Sequence, residues 1–101
     1  MKNTTKTANL AATYRLQATT TPENLEMRFS DMDGKTLTFG NFTLVAGYYF
    51  SGRNANSYFS AIYAFTTDDH TCEGEVKLVK VSEDRFEDDG HAIAWAITNA
   101  H

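Results

Sequence analysis

The longest patterned stretch of the chain runs from Phe42 to Thr67. Two aromatic-rich apolar runs, F-T-L-V-A-G-Y-Y-F and Y-F-S-A-I-Y-A-F-T-T, flank the polar segment S-G-R-N-A-N-S. Alternating apolar runs around a short Gly/Asn/Ser segment predict a β-hairpin. In the first run Phe42, Leu44, Ala46, Tyr48 and Phe50 share one face. In the second, Phe59, Ala61, Tyr63 and Phe65 share one face, with Ile62 and Ala64 on the other. Both faces are partly apolar, which places the hairpin centrally in a sheet with one face covered and the other at least half covered.

Period-two patterning extends to either side. Ala11 to Thr20 alternates Tyr14, Leu16 and Ala18 against Thr13, Arg15 and Gln17 and predicts a strand, although residues 8–12 also suit a helical turn. After a turn at Thr20 to Asn24, Leu25, Met27 and Phe29 alternate with polar residues and predict a half-buried strand. Asp31 to Gly34 reads as a turn, and Lys35 to Phe39 as the return strand with Leu37 and Phe39 inward. Gly40-Asn41 is a second tight turn into the aromatic hairpin. Glu75 to Ser82 is the last strand, with Val76 and Leu78 opposed to Val79 and Val81.

The C-terminal period changes. Phe86, Ile93, Ala94 and Ile97 recur at helical spacing, with alanines to support it and acidic residues crowding the front, where the helix dipole favours them. Either Ser82 or Asp84 caps a long helix, or Asp88/Asp89 caps a shorter one with Gly90 in its first turn. On the long form Gly90 lets the helix lie close to the sheet, and Trp95 closes the edge of the helix–sheet interface. The expected fold is α+β: an antiparallel meander of about five to six strands with the C-terminal helix across one face, in two layers. Residues 1–9 are expected to be a flexible tail and 10–101 a single domain.

Charge changes this picture. Residues 1–66 hold six Lys/Arg and four Asp/Glu, a balance of +2; residues 67–101 hold three and nine, a balance of −6, and together these give the net −4. An acidic end disfavours direct nucleic-acid binding there and favours a basic partner. One cysteine, Cys72, builds no intrachain disulfide. With no apolar leader after Lys2 and Lys6 and no stretch of membrane length, the expected location is the cytoplasm of a bacterium or host cell.

Candidate chemistry is sparse. Asp31-Met32-Asp33-Gly34-Lys35 opens like a calcium loop, but Phe42 stands where the closing glutamate belongs, so a hairpin turn is the better reading. His70, Cys72 and Glu73, with His91 as a distant fourth, lack the paired spacing of a zinc site and read as a surface loop. No phosphate loop, nucleophile elbow or zinc-hydrolase motif is present, so no catalytic residue, cofactor or metal is expected.

Two segments point to protein binding. Glu83, Asp84, Glu87, Asp88 and Asp89 form the densest charge cluster, with like charges crowded at i,i+4 if helical. Arg53, Asn54 and Asn56 lie in a loop flanked by Tyr48-Tyr49-Phe50 and Tyr58-Phe59, a composition typical of adaptable binding surfaces. These residues predict a non-catalytic inhibitor or adaptor that binds a larger basic, nucleic-acid-handling protein, its carboxylates standing where phosphates would. A small acidic domain with a meander sheet, one helix and no catalytic motif resembles the inhibitor proteins of phages and mobile elements, the anti-CRISPR kind above all. That resemblance is one of whole-chain character and implies inhibition of a host nucleoprotein defence complex. The alternative is a small-molecule-binding or catalytic domain with a pocket between sheet and helix, lined by Tyr14, Tyr48, Tyr63 and Trp95. A second copy of the chain, burying a hairpin face, is a further candidate partner.

Overall fold

The computed structural model describes residues 9–12, 14, 16–30, 34–49, 57–67 and 74–100. Residues 1–8 of the expected tail, most of the Asp31 to Gly34 turn, the loop bearing Arg53, Asn54 and Asn56, and the His70, Cys72 and Glu73 group lie outside the described residues, whereas Asn9, the last residue of that tail, is helical. Five antiparallel strands, β1 (Thr19–Thr20), β2 (Lys35–Phe39), β3 (Phe42–Tyr49), β4 (Ser57–Thr67) and β5 (Gly74–Val81), form one sheet in the order β1-β5-β4-β3-β2. Two helices, α1 (Pro22–Ser30) and α2 (Asp89–Asn99), and the helical residues 9–12 and 14 complete the described elements. The class is α+β, as expected.

The aromatic hairpin is the centre of the sheet. β3 and β4 pair from Phe42↔Ala64 to Tyr49↔Ser57. Alternation sends Val45, Phe59, Ala61 and Tyr63 to one face, where they pack with Tyr14, Leu25, Phe29, Val76 and Val81. Leu44 and Ile62 go to the other, under Ala96 of α2 and flanked by Phe42, Ile93 and Trp95. Helices therefore cover both faces, and the two-layer expectation is corrected to three layers. Between β2 and β3 the two-residue turn falls at Gly40-Asn41, with Gly40 at φ 61, a left-handed value that favours glycine.

The segment carrying Leu25, Met27 and Phe29 is a helix, not a strand. Thr21 begins it: its Oγ1 accepts from Asn24 N at 3.2 Å and its carbonyl from Leu25 N at 3.0 Å. Pro22 takes the first helical position, where a missing N–H costs nothing, with Glu23 in the first turn and Arg28 in the last. Leu25 and Phe29, four apart, are 3% and 2% exposed, whereas Met27 is 63% exposed. Alternation and i,i+4 spacing coincide at Leu25 and Phe29, and the cap decides between them.

Nor is Ala11 to Thr20 a strand throughout. Residues 9–12 and 14 are helical, so the helical-turn alternative describes this part, and only Thr19–Thr20 pairs, with Lys77 and Val76. Leu10 and Tyr14, again four apart, reach the same core. Tyr63 closes this face: its hydroxyl donates to Gln17 O at 2.9 Å, and burial pushes its pKa up to about 12 against the opposing pull of Arg28.

Three further expectations are corrected. Leu37 and Phe39 are 42% and 43% exposed, because β2 is an edge strand reaching past the cover of α2. Val81 does not oppose Val76 and Leu78. The β4–β5 register slips between Ile62, opposite Lys80, and Tyr63, opposite Leu78, leaving Val79 as an extra residue that returns Val81 to the Val76 face. In α2 the buried positions are Ala92 and Ala96, flanked by Ile93 and Trp95; Ala94 is exposed and Ile97 largely so. Two alanines facing the sheet allow a close approach that a stripe of larger side chains would prevent. Gly90 is exposed and plays no part in that approach.

Candidate functional site

The segment from Ser82 to Asp88 links β5 to α2 and carries most of the acidic cluster. It is held at three places. Ser82, fully buried, donates its N–H to Ser60 O at 2.8 Å. Its hydroxyl accepts from Ser60 N at 2.9 Å and donates to Asp84 O at 2.9 Å. Four residues on, Phe86 and Tyr58 exchange both backbone hydrogen bonds, each 2.9 Å. Asp88 then caps α2 from an extended backbone (φ −145, ψ 168), its Oδ1 accepting from His91 N at 2.7 Å. Caps of this type satisfy donors at the helix start that otherwise have no partner. The shorter of the two expected helices is the one formed, and Ser82 closes a strand instead of opening a helix.

Glu83, Asp84, Glu87 and Asp88 are exposed on this ribbon, and Asp89 is half-buried. The N–H of His91, then its ring, hold the Asp88 carboxyl below its usual range, so it stays charged well into acid. His91 Nδ1 lies 2.8 Å from the same oxygen. Asp89 is bound within the chain, 3.0 Å from Lys35 Nζ. Exposed pairs of that kind contribute up to about 1 kcal/mol, so Lys35 matters here mainly by cancelling one carboxylate. Two further cations near the ribbon lie over aromatic rings. Arg85 lies over the Tyr14 ring at 5.9 Å, and Lys80 lies over Trp95 at 5.7 Å while donating to Asn99 Oδ1 at 3.0 Å. Of the five predicted carboxylates, the structure thus ties Asp89 to a lysine and engages Asp88 in the cap. Asp84 and Glu87 make no ion pair among the described residues.

The sequence model of a protein family described as "Nucleotide modification associated domain 4", Nmad4, matches residues 16–100. The chain belongs to this family. No curated protein and no solved structure matches it. The Nmad4 match takes in every strand, both helices and the whole acidic ribbon, and begins after the helical turn at residues 9–12.

Tyr58 stands next in the chain to one of the segments predicted to bind a partner and is bridged to the other. It follows the loop of Arg53, Asn54 and Asn56, which lies outside the described residues, and its backbone holds Phe86 in the ribbon. Tyr48 and Tyr58 pack edge to face at 5.1 Å, and Phe86 lies 6.5 Å from Trp95, all on the α2 face. The four aromatics proposed to line one pocket do not share a side of the sheet. Tyr14 and Tyr63 lie with α1, Tyr48 and Trp95 with α2. Among the described residues, no three His, Cys, Asp or Glu side chains converge as metal ligands, and no helix is long and apolar enough to cross a membrane.

Sequence reasoning missed Ser60 and Lys35, and gave Ser82 and Tyr58 other roles, a helix cap and a loop flank, where the structure has both hold the ribbon. A serine between Val81 and Glu83 was a signal for a strand end with a hydroxyl to spare. Its partner, 22 positions earlier, carries none.

Proposed function

We propose that this chain is a non-catalytic binding domain of a nucleotide-modification system. It docks through the Glu83–Asp88 ribbon onto a basic surface of a larger, nucleic-acid-handling protein. The family description supports the setting. The observation that carries the mode of action is the ribbon itself. Its backbone is fixed by Ser82, Phe86 and the Asp88 cap, and among the described residues its exposed Asp84 and Glu87 carboxylates make no ion pair with a lysine or arginine. Carboxylates on a fixed backbone lose little freedom on binding, and that lowers the cost of docking them. A surface built to receive phosphates attracts them by the same long-range field. The action is stoichiometric: the domain occupies the groove that receives nucleic acid, as an inhibitor of the anti-CRISPR kind would, or tethers the domain to the partner.

The test uses Glu83→Lys, Asp84→Lys and Glu87→Lys together. These positions leave the Asp88 cap and the Lys35–Asp89 pair in place. Binding to the nucleotide-modifying and nucleic-acid-binding proteins of the source cell should be salt-sensitive. The triple reversal should weaken it about a hundredfold or more, since like charges set against each other across an interface cost several kcal/mol. A partner bound with equal affinity by the reversed chain would remove the ribbon from the mechanism.

A further inference from the structure

The sheet has two edges of different character. β1 is only two residues long, and a very short edge strand is one way proteins blunt an edge. β2 is five residues, Lys35–Phe39, in unbroken register with β3 and without proline or bulge. Its one charged residue, Lys35, is engaged by Asp89. No strand pairs with its outer side among the described residues. Leu37 and Phe39 stand exposed there on the α2 face, cross-strand from Leu44 and Phe42. The central hairpin cannot be the open face, because the chain's own helices cover both of its sides.

We propose that the outer edge of β2 pairs antiparallel with β2 of a second copy, about a two-fold axis through Leu37 perpendicular to the sheet. An open edge presents unpaired N–H and C=O groups, which specifies a strand as the occupant. The side chains specify which strand. A two-fold of this kind keeps each face on its own side, so apolar residues of one copy meet those of the other. The register centred on Leu37 uses all five residues. Leu37 opposes the partner's Leu37, Thr36 opposes the partner's Thr38, and Phe39 opposes the partner's Lys35. Lysines are never set against each other. Each Phe39 ring lies beside a lysine stem, and the threonines pair on the α1 face. Shifting the register by one pair in either direction leaves residues of the strand unpaired. The acidic ribbon passes Tyr58 on the β5 side of β4, and only the residue after it, Asp89, reaches β2, where it holds Lys35.

Sedimentation velocity of the full chain tests this. With rising concentration the wild type should move from a monomer to a dimer value, while Leu37→Lys and Phe39→Lys, with unchanged circular dichroism, should stay monomeric. The register is read by cysteine pairing in a Cys72→Ser background. Directly opposed residues have Cβ atoms about 4.5–5.5 Å apart, close to disulfide reach. Leu37→Cys should give a covalent dimer on mild oxidation, and Phe39→Cys should not. A wild type that stays monomeric at every attainable concentration overturns the proposal. So does a dimer indifferent to both lysine variants, or one that crosslinks through position 39 instead of 37.

Discussion

Replacing Gly47 by alanine should cost this domain about 2–3 kcal/mol, the upper part of the range for forcing atoms into a packed core. Valine at the same position should leave the chain unfolded under conditions where the alanine variant still folds. Gly47 sits opposite Phe59 in the β3–β4 pairing, and a Cβ there would collide with Cζ and Cε1 of that ring and come within 3.0 Å of Phe29 Cε1. Phe59 has nowhere to go. Tyr14 is stacked flat on it at 4.0 Å, and Phe29 meets its edge at 6.2 Å. Urea unfolding reads the result directly. An alanine variant with the wild-type midpoint would mean that the Tyr14–Phe59–Phe29 group is looser than its ring geometry indicates.

Phe29→Ala should cost about 3–5 kcal/mol, the usual toll for deleting a buried phenylalanine. Met27→Ala should stay within about 0.5 kcal/mol, as exposed substitutions do. Since domains of this kind are stable by only about 5–15 kcal/mol, the first change removes a large share of the total. The contrast also discriminates between two conformations. In a strand, residues 27 and 29 lie on the same face, and both truncations would be felt. On α1 they lie 200° apart at about 100° per residue, so one is core and the other solvent. Comparable losses at both positions would contradict the helix.

That segment shows where sequence reasoning succeeds and where it fails. The β3–β4 hairpin was legible because its aromatic and β-branched runs are long, and because only a central strand carries apolar residues on both faces. Leu25, Met27 and Phe29 misled because three apolar residues at alternate positions satisfy a strand, while two of them, four apart, satisfy a helix equally well. The deciding signal was Thr21-Pro22-Glu23, a cap followed by a proline at the first helical position, which reads as a simple turn when taken alone. Val81 was misplaced because one inserted residue, Val79, reverses the phase of everything after it. Nothing local announces such a slip. The acidic cluster was plain in composition, but its shape was not. Lys35 and Ser60 act on it from 54 and 22 positions away in the chain, through sheet pairing that no local pattern encodes.

The ribbon is tested most directly by following the backbone amides of the isotope-labelled chain by NMR during two titrations, one with a short oligo-arginine peptide and one with a DNA duplex. The peptide should shift amides of residues 83–88 and their contacts at Tyr58 and Ser60, with the shifts fading as salt is added. The duplex should shift none. Peptide-induced shifts scattered over the molecule, or DNA-induced shifts at any one surface, would contradict a domain that meets basic proteins through Glu83, Asp84 and Glu87.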